Sequence, residues 1–143
     1  MNLIAWSQNM TPEAATAAGA ILVSKDQLFE RADILTIHLV LSSRTRGLVG
    51  AAELDRMKPT ARLINASRGP IVDEQALVSV LTSGHIAGAA LDAFDIEPLP
   101  PSHPFRTLDN VLATPHIGYV SDGLYKTFYE DTVSNIRQWL DTH

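Results

Sequence analysis

Three reactive side chains of this sequence each come shortly after a short apolar run that is typical of a buried β-strand. They are Arg68, Glu97 and His116. If the strands are parallel, their carboxyl ends share one edge of the sheet, and open α/β folds bind ligands at that edge. A guanidinium, a carboxylate and an imidazole at one edge therefore predict an active site.

Short apolar runs alternate along the chain with segments of helical pattern. The runs typical of strands cover 3–6, 20–23, 34–39, 62–65, 86–92 and 111–113, and the helical segments cover 12–18, 24–31, 50–57, 73–82 and 122–141. Thr11, Ser24 and Asp73 are residues of the types that cap helix amino termini. The alternation of strand and helix predicts an α/β fold with a doubly wound parallel sheet and right-handed crossovers.

Three segments carry more specific structural predictions. The run 34–39 is almost continuously apolar, which is typical of a strand covered on both faces. The segment 97–106 contains four prolines and is predicted to be an ordered loop rather than a helix or a central strand. The helix 122–141 carries an apolar stripe at fourfold spacing, which we expect to pack on the sheet. The stripe consists of Leu124, Phe128, Thr132, Ile136 and Leu140.

Composition limits the partners of such a fold. A length of 143 residues fits one domain, and 45% hydrophobic residues fit an ordinary globular core. The net charge is -5 and the 11 Lys and Arg residues are scattered, which argues against nucleic acid or an anionic membrane as a partner. No apolar stretch approaches the roughly 20 residues that span a bilayer. We therefore expect a cytoplasmic protein that acts on small molecules.

The sequence predicts no metal site. It contains no cysteine, so a thiolate site is excluded. The histidines other than His116 complete no metal-binding spacing. They are His38, His85, His103 and His143.

The three strand-end residues together predict acid–base chemistry at a carbonyl next to a carboxylate. A planar guanidinium binds a carboxylate through two parallel hydrogen bonds, which favours Arg68 as the group that binds a substrate acid. An imidazole titrates near neutral pH, so His116 can take a proton from an alcohol or return it to a ketone oxygen. Glu97 would hold the ring in one tautomer and favour its protonated form.

Each of these residues also has a structural interpretation when it is taken alone. An arginine after a strand is commonly a solvated loop residue, and a glutamate before a proline is commonly a surface charge. A histidine after a proline can simply bond a backbone carbonyl. The functional interpretation depends on all three residues occupying the same kind of topological position.

Six ordered motifs of this sequence resemble those of the D-isomer-specific 2-hydroxyacid dehydrogenases. They are His38-Leu39, Thr45-Arg46-Gly47-Leu48, Met57-Lys58-Pro59, Asn65-Ala66-Ser67-Arg68-Gly69 with Val72-Asp73-Glu74, Gly84-His85-Ile86-Ala87-Gly88-Ala89-Ala90-Leu91-Asp92, and Thr114-Pro115-His116-Ile117-Gly118. The resemblance implies a Rossmann-like fold. It also implies that an arginine binds the substrate carboxylate, a histidine is the acid or base, and a glutamate pairs with it, which assigns Arg68, His116 and Glu97.

The resemblance implies a set of cofactor contacts as well. Asp92 is the expected partner of the nicotinamide carboxamide. Further residues are expected to line the cofactor, namely Leu39, Val40, Ala66, Ser67, Arg68, His116 and Gly118.

Two departures from the family pattern concern the dinucleotide. The family's cofactor domain opens with a strand and the turn G-x-G-x-x-G, which brings the pyrophosphate onto a helix amino terminus, and this sequence contains no such turn. Ser7 stands where an acidic residue normally binds the adenosine ribose, and no arginine follows it closely. We expect NAD as the cofactor on family grounds, with NADP left open.

The resemblance makes residues 1–143 part of an NAD-binding domain, without the family's first strand and without its substrate domain. The missing strand is central in the family's sheet, so its loss would expose the edges of the strands at Leu3 and Ile34. We expect these strands to pair directly, to associate with another chain, or to leave the amino-terminal third loose.

The predicted function is an NAD(H)-dependent oxidoreductase that interconverts a D-2-hydroxy acid and a 2-keto acid by hydride transfer. The alternative is a catalytically inactive fragment, or an α/β interaction domain, that descends from such an enzyme. The sequence does not separate glyoxylate, hydroxypyruvate, phosphoglycerate-type acids and bulkier 2-keto acids. The resemblance also implies a homodimer.

Overall fold

The computed structural model describes all 143 residues as an alternation of strands and helices. The strands are β1 (Ile4–Ala5), β2 (Ile21–Leu22), β3 (Ile34–Ile37), β4 (Arg62–Asn65), β5 (Gly88–Leu91) and β6 (Val111–Ala113). The helices are α1 (Pro12–Ala17), α2 (Lys25–Arg31), α3 (Ala51–Leu54), α4 (Glu74–Thr82) and α5 (Asp122–Thr142). Short 3-10 turns cover Gly69–Ile71 and Pro104–Arg106. The predicted α/β class is confirmed.

Helix starts follow the predicted caps. The Thr11 hydroxyl accepts a hydrogen bond from the Ala14 N–H at 3.2 Å. Ser24 forms a reciprocal capping box with Gln27, and Asp73 accepts a hydrogen bond from Ala76 at the start of α4. These caps satisfy amide groups that have no partner inside a helix.

The strands form two parallel sheets rather than the single predicted one. β3, β4, β5 and β6 pair in that order, whereas β1 pairs only with β2. Each neighbouring pair in both sheets is parallel. Parallel neighbours put the carboxyl ends of β3 to β6 along one edge, as the site prediction requires.

An apolar groove separates the two sheets. It has a volume of about 1040 Å³ and lies between β1 and β3, with Ile4 on one side and Ile34 on the other. A six-residue strand at the usual spacing of strands and sheets occupies roughly 1000 Å³. The groove is therefore about the size of one strand. Direct pairing of the Leu3 and Ile34 strands is therefore wrong, and both edges stay open.

β3 is covered less completely than the sequence predicts. Leu35 and Ile37 are buried, but Ile34 is 58% exposed because it stands beside the groove. A continuous apolar run indicates that both faces of a strand are suited to burial. Whether the side chains are buried depends on the neighbouring parts of the fold.

The main core lies under the four-stranded sheet. A cluster of 20 buried residues runs from Phe29 to Phe105, and Leu54, Leu63 and Ile71 within it have no exposed surface. No residue before Phe29 belongs to this cluster.

The last helix does not pack on the sheet, which corrects the sequence prediction. α5 has no buried residue over its 21 positions. Its apolar side chains, including Phe128 and Ile136, are about half exposed. The helix was predicted correctly, but no other part of this chain packs on its apolar face. No helix of the structure combines the length and apolar character needed to cross a bilayer.

Candidate active site

The turn after β4 is built around a buried asparagine. Asn65 is 2% exposed, and its side chain donates to the Arg68 carbonyl at 3.0 Å and accepts from the Ser67 N–H at 3.1 Å. The Ser67 hydroxyl donates to the Leu39 carbonyl at 3.0 Å, which ties this turn to the end of β3. These bonds fix the backbone from which the Arg68 side chain extends.

The turn that carries Arg68 packs against the segment that carries Glu97 at a glycine, with main chain close to main chain. A Cβ atom added to Gly69 would lie 2.1 Å from the carbonyl carbon of Phe94 and 2.5 Å from the nitrogen of Asp95. Only glycine leaves room for this approach. The Gly69 contact therefore sets how closely the two segments approach each other.

Glu97 is held by its own segment and by the histidine. Its Oε1 atom accepts from the Phe94 N–H at 2.9 Å, and its Oε2 atom lies 2.8 Å from Nδ1 of His116. The Phe94 N–H is the largest influence and lowers the pKa of Glu97. Partial burial opposes this effect, and His116 and the charge of Arg68 lower the pKa further. The carboxylate therefore stays ionised beside the imidazole.

His116 has a backbone conformation that residues other than glycine seldom adopt. Its φ is +56°, in the left-handed region, which costs of order 1 kcal/mol for a side chain of this type. The next two amides, of Ile117 and Gly118, donate to the carboxylate of Asp92 at 2.9 and 2.7 Å. These bonds hold the turn in the strained conformation that directs His116 toward Glu97.

Asp92 is the anchor of this turn. It also accepts from the Thr114 hydroxyl at 2.5 Å, so its two oxygens receive three hydrogen bonds. Burial alone would raise the pKa of Asp92. The bonds from Thr114, Ile117 and Gly118, with the nearby His116, outweigh burial and lower it.

The predicted site residues divide into four groups by position. Glu97 and His116 are directly bonded. Arg68 bonds neither of them: its guanidinium donates to the Ser67 carbonyl at 2.7 Å, although its charge reaches Glu97. Ser7 lies at the end of β1 and lines the groove, apart from the His116 turn. The remaining residues lie on the loops that follow β3, β4, β5 and β6, namely Leu39, Val40, Ala66, Ser67, Asp92 and Gly118.

Asn65 and Thr114 were missed by the sequence analysis. Asn65 is the only buried polar residue of the structure, and Thr114 bonds Asp92. For Asn65 the available signal was a polar residue at the last position of an apolar strand, because such a residue needs hydrogen-bond partners when it is buried.

The residues at this edge fit the nicotinamide half of a dinucleotide. A carboxylate has about four acceptor positions, so Asp92 keeps one for a carboxamide N–H after its three internal bonds. Val40 is 85% exposed and offers an apolar surface beside the end of β3. No group of three or more His, Cys, Asp or Glu side chains in the structure is placed to hold a metal ion.

Comparison with known proteins identifies the family of this chain. Residues 1–118 match the family described as D-isomer specific 2-hydroxyacid dehydrogenase, NAD binding domain. The chain belongs to this family, and the matched region corresponds to its NAD-binding domain.

Individual relatives extend the likeness over the whole chain. The chain is 41% identical over 140 residues to a D-3-phosphoglycerate dehydrogenase of Synechocystis sp., covering 98% of this chain and 25% of the relative. It is 53% identical over 92 residues to a glyoxylate reductase of Thermofilum pendens, covering 64% of this chain and 27% of the relative. The chain thus spans about a quarter of the length of these curated relatives.

Solved structures share the fold of this chain. A phosphoglycerate oxidoreductase of Vibrio cholerae O395 has a TM-score of 0.92 and 32% identity, covering 100% of this chain and 46% of the other. A D-isomer specific 2-hydroxyacid dehydrogenase of Xanthobacter autotrophicus Py2, in complex with NADPH and MES, has a TM-score of 0.69 and 40% identity. That match covers 72% of this chain and 34% of the other.

Proposed function

We propose that this chain carries the acid–base centre and the nicotinamide side of an enzyme that interconverts a D-2-hydroxy acid and a 2-keto acid. The observation that carries the proposal is the 2.8 Å contact between Nδ1 of His116 and Oε2 of Glu97. A carboxylate that fixes one ring nitrogen leaves the other nitrogen, Nε2, available to exchange a proton.

His116 moves the proton in this scheme. With the Nδ1 proton donated to Glu97, Nε2 accepts the hydroxyl proton of the hydroxy acid, and the ionised Glu97 stabilises the resulting imidazolium. In the reverse direction Nε2 returns the proton to the carbonyl oxygen of the keto acid. A bound nicotinamide dinucleotide supplies or accepts the hydride.

Arg68 binds the carboxylate of the substrate. Its side chain is exposed, and its single bond to the Ser67 carbonyl leaves donors of the guanidinium free. Two parallel hydrogen bonds to a carboxylate fix the orientation of the adjoining carbonyl carbon. This role restricts the substrates to acids with the reacting oxygen on the next carbon.

Residues at the ends of β3 to β6 hold the nicotinamide. Asp92 accepts from the carboxamide, while Leu39, Val40, Ala66, Ser67 and Gly118 form the surrounding surface with Arg68 and His116. Ser7 faces the adenosine end from β1. NAD is the proposed cofactor, and NADP is kept as a second ligand to test because Ser7 carries no charge that would repel a phosphate.

The chain is proposed to act as part of a larger assembly. Residues 1–143 form part of the cofactor domain, and a separate substrate domain and a second subunit complete the enzyme. The open groove and the uncovered apolar face of α5 support this proposal, because large apolar surfaces are normally covered by a partner.

A first experiment measures NADH-dependent reduction of glyoxylate and hydroxypyruvate. We expect His116→Gln to lower kcat about 10²- to 10⁴-fold, the usual contribution of a positioned acid or base. Arg68→Lys is expected to raise KM for the keto acid, because a lysine cannot form the paired hydrogen bonds. His143→Gln and Arg44→Lys are the matched controls on exposed positions. The assay uses the complete enzyme that contains this chain, and His116→Gln with the same measurable activity as His143→Gln would contradict the proposal.

A second experiment measures binding of NADH and NADPH through nicotinamide fluorescence. Val40→Asp is expected to weaken binding, whereas Val133→Asp, on the exposed face of α5, is expected to leave it unchanged. The second candidate function, a non-catalytic interaction domain, is favoured by the apolar groove, which lies between β1 and β3 rather than beside His116. A folded chain that binds neither dinucleotide would support that candidate.

A further inference from the structure

The segment that carries Glu97 has almost no regular structure to hold it. Residues 97–103 belong to no strand or helix, and the segment reaches the 3-10 turn Pro104–Arg106. Its prolines, at positions 98, 100, 101 and 104, have no N–H to donate. The position of the Glu97 carboxylate therefore depends on side-chain contacts.

Most polar contacts of the segment are internal. Arg106 donates to the carbonyls of Leu99 and Pro100, at 2.6 to 3.2 Å, and the N–H of His103 donates to Pro100 at 3.0 Å. These bonds close the segment on itself. They do not determine where it lies relative to the sheet. Leu99 and Phe105, which are buried in the main core, anchor the segment through apolar contacts, and these contacts have less directional preference than a hydrogen bond.

One side-chain hydrogen bond joins residues 98–106 to a regular element of the fold. Nε2 of His103 lies 3.0 Å from Oε1 of Glu74, the first residue of α4. No backbone bond of these residues reaches α4 or the strands. Both side chains are largely covered, with 15% of His103 and 26% of Glu74 exposed.

The tautomer of His103 is fixed by a second contact. Nδ1 accepts from the Phe105 N–H at 3.2 Å, so the ring proton of the neutral form is on Nε2 and is donated to Glu74. The His103 ring also packs on the buried ring of Phe105, with the ring centroids 4.7 Å apart. The hydrogen bond to Glu74 thus needs no change of protonation.

We infer that His103 and Glu74 are positioning residues for the acid–base centre: their hydrogen bond fixes the Glu97 segment to α4 and so holds the Glu97 carboxylate against His116. The inference rests on the proposed function. α4 follows the Arg68 turn directly, so the same bond also fixes the segment relative to Arg68. The Gly69 contact with Phe94 places the near end of the segment. At the far end, Leu99 and Phe105 are buried in the main core, and the His103–Glu74 bond adds the polar contact that joins the segment to α4.

Besides its bond to His103, Glu74 affects the pKa of Asp95, and this effect separates the loss of its charge from the loss of its hydrogen bond. Burial, with the charges of Glu74 and Asp73, raises the pKa of Asp95, and Arg46 opposes them. Glu74→Gln removes this charge but keeps an oxygen that accepts from His103. The variant is therefore expected to lower the titration midpoint of Asp95 while that of Glu97 stays unchanged.

The test follows the carboxyl carbons of Glu97 and Asp95 by NMR titration of the 143-residue chain without cofactor, with Glu97→Gln used to assign the Glu97 signal. We expect His103→Ala and Glu74→Ala to move the Glu97 midpoint upward, toward its ordinary value, and to change the Nδ1 signal of His116. Glu74→Gln is expected to restore the wild-type Glu97 midpoint. Lys25→Ala is the matched control, because it breaks another largely covered ion pair, with Glu53 at 2.8 Å.

Glu74→Ala is the decisive variant, because the change lies outside the loop and alanine is compatible with a helix, so only the small stabilisation by a carboxylate at the helix start is lost with the bond. An unchanged Glu97 midpoint in folded Glu74→Ala would overturn the inference. An equal shift in Lys25→Ala would also overturn it, because the effect would then follow general destabilisation. The titration needs neither cofactor nor turnover, so its result is independent of whether the proposed activity is found.

Discussion

The four-stranded and the two-stranded regions of this chain have similar local structure but very different packing. Both contain parallel strands joined by capped helices. The region from Phe29 to Phe105 contains the whole 20-residue core cluster, whereas the region before it buries only Ala15, Ala20 and Val23. The comparison shows that correct strands and caps do not by themselves provide a shared core.

The candidate active-site residues lie almost entirely in the well-packed, four-stranded region. The Glu97–His116 pair, Arg68 and Asp92 all lie on loops of the four-stranded region, and only Ser7 comes from the other one. A strained residue such as His116 keeps its conformation only when its surroundings determine it strongly. The well-packed region supplies those surroundings.

The largest expected difference between the regions is in the cost of a core truncation. Leu63→Ala, in β4, is expected to lower the free energy of unfolding by about 2–5 kcal/mol, because Leu63 is completely buried. Ile4→Ala, in β1, is expected to cost less than about 1.5 kcal/mol because it borders the groove. Urea unfolding measures both values. Equal costs would show that the two sheets share one core.

A smaller effect is expected from the anchor of the His116 turn. Asp92→Ala is expected to lower the free energy of unfolding by about 1.5–3 kcal/mol at pH 7, since hydrogen bonds to a charged group are lost. Asp109→Ala, at an exposed position, is the control. The pKa of Asp92 is lowered in the folded state, so its stabilisation is fully present above the unfolded value near 4 and is lost as pH falls. The gap between wild type and variant should narrow below pH 4, and a constant gap would contradict this account.

The smallest effect concerns single amides beside the groove. The Arg62 N–H donates to the Asp33 carbonyl, so Leu35 and Ile37 direct their backbone groups toward β4, while Ile34 and Thr36 direct theirs into the groove. In a monomer, we expect slow hydrogen exchange at Leu35 and Ile37 and fast exchange at Ile34 and Thr36. Slow exchange at all four would mean that β1 and β3 pair in solution.

Local features of the fold were predictable because their causes are local. The capping box of Ser24 and Gln27 and the cap at Asp73 depend on residues three positions apart. The strand Arg62–Asn65 was predicted with its observed bounds. The meeting of Glu97 and His116 at one edge was predicted because it follows from parallel strands.

Features that depend on distant partners were not predictable. The stripe on α5 shows that a helical face is apolar, but not which surface covers it. The exposure of Ile34 depends on a gap in the sheet that no residue of β3 encodes. The bond between Glu74 and His103 joins residues 29 positions apart, and neither residue type indicates its partner.

Gly69 has a consequence for how this site can change through mutation. The atoms that a side chain at position 69 would strike belong to the main chain of Phe94 and Asp95. Replacing Phe94 or Asp95 alters their side chains and leaves those obstructing atoms in place. A saturation library should therefore yield no compensating second-site substitution for a change at position 69, whereas Gly123, with open space around it, should accept many residues.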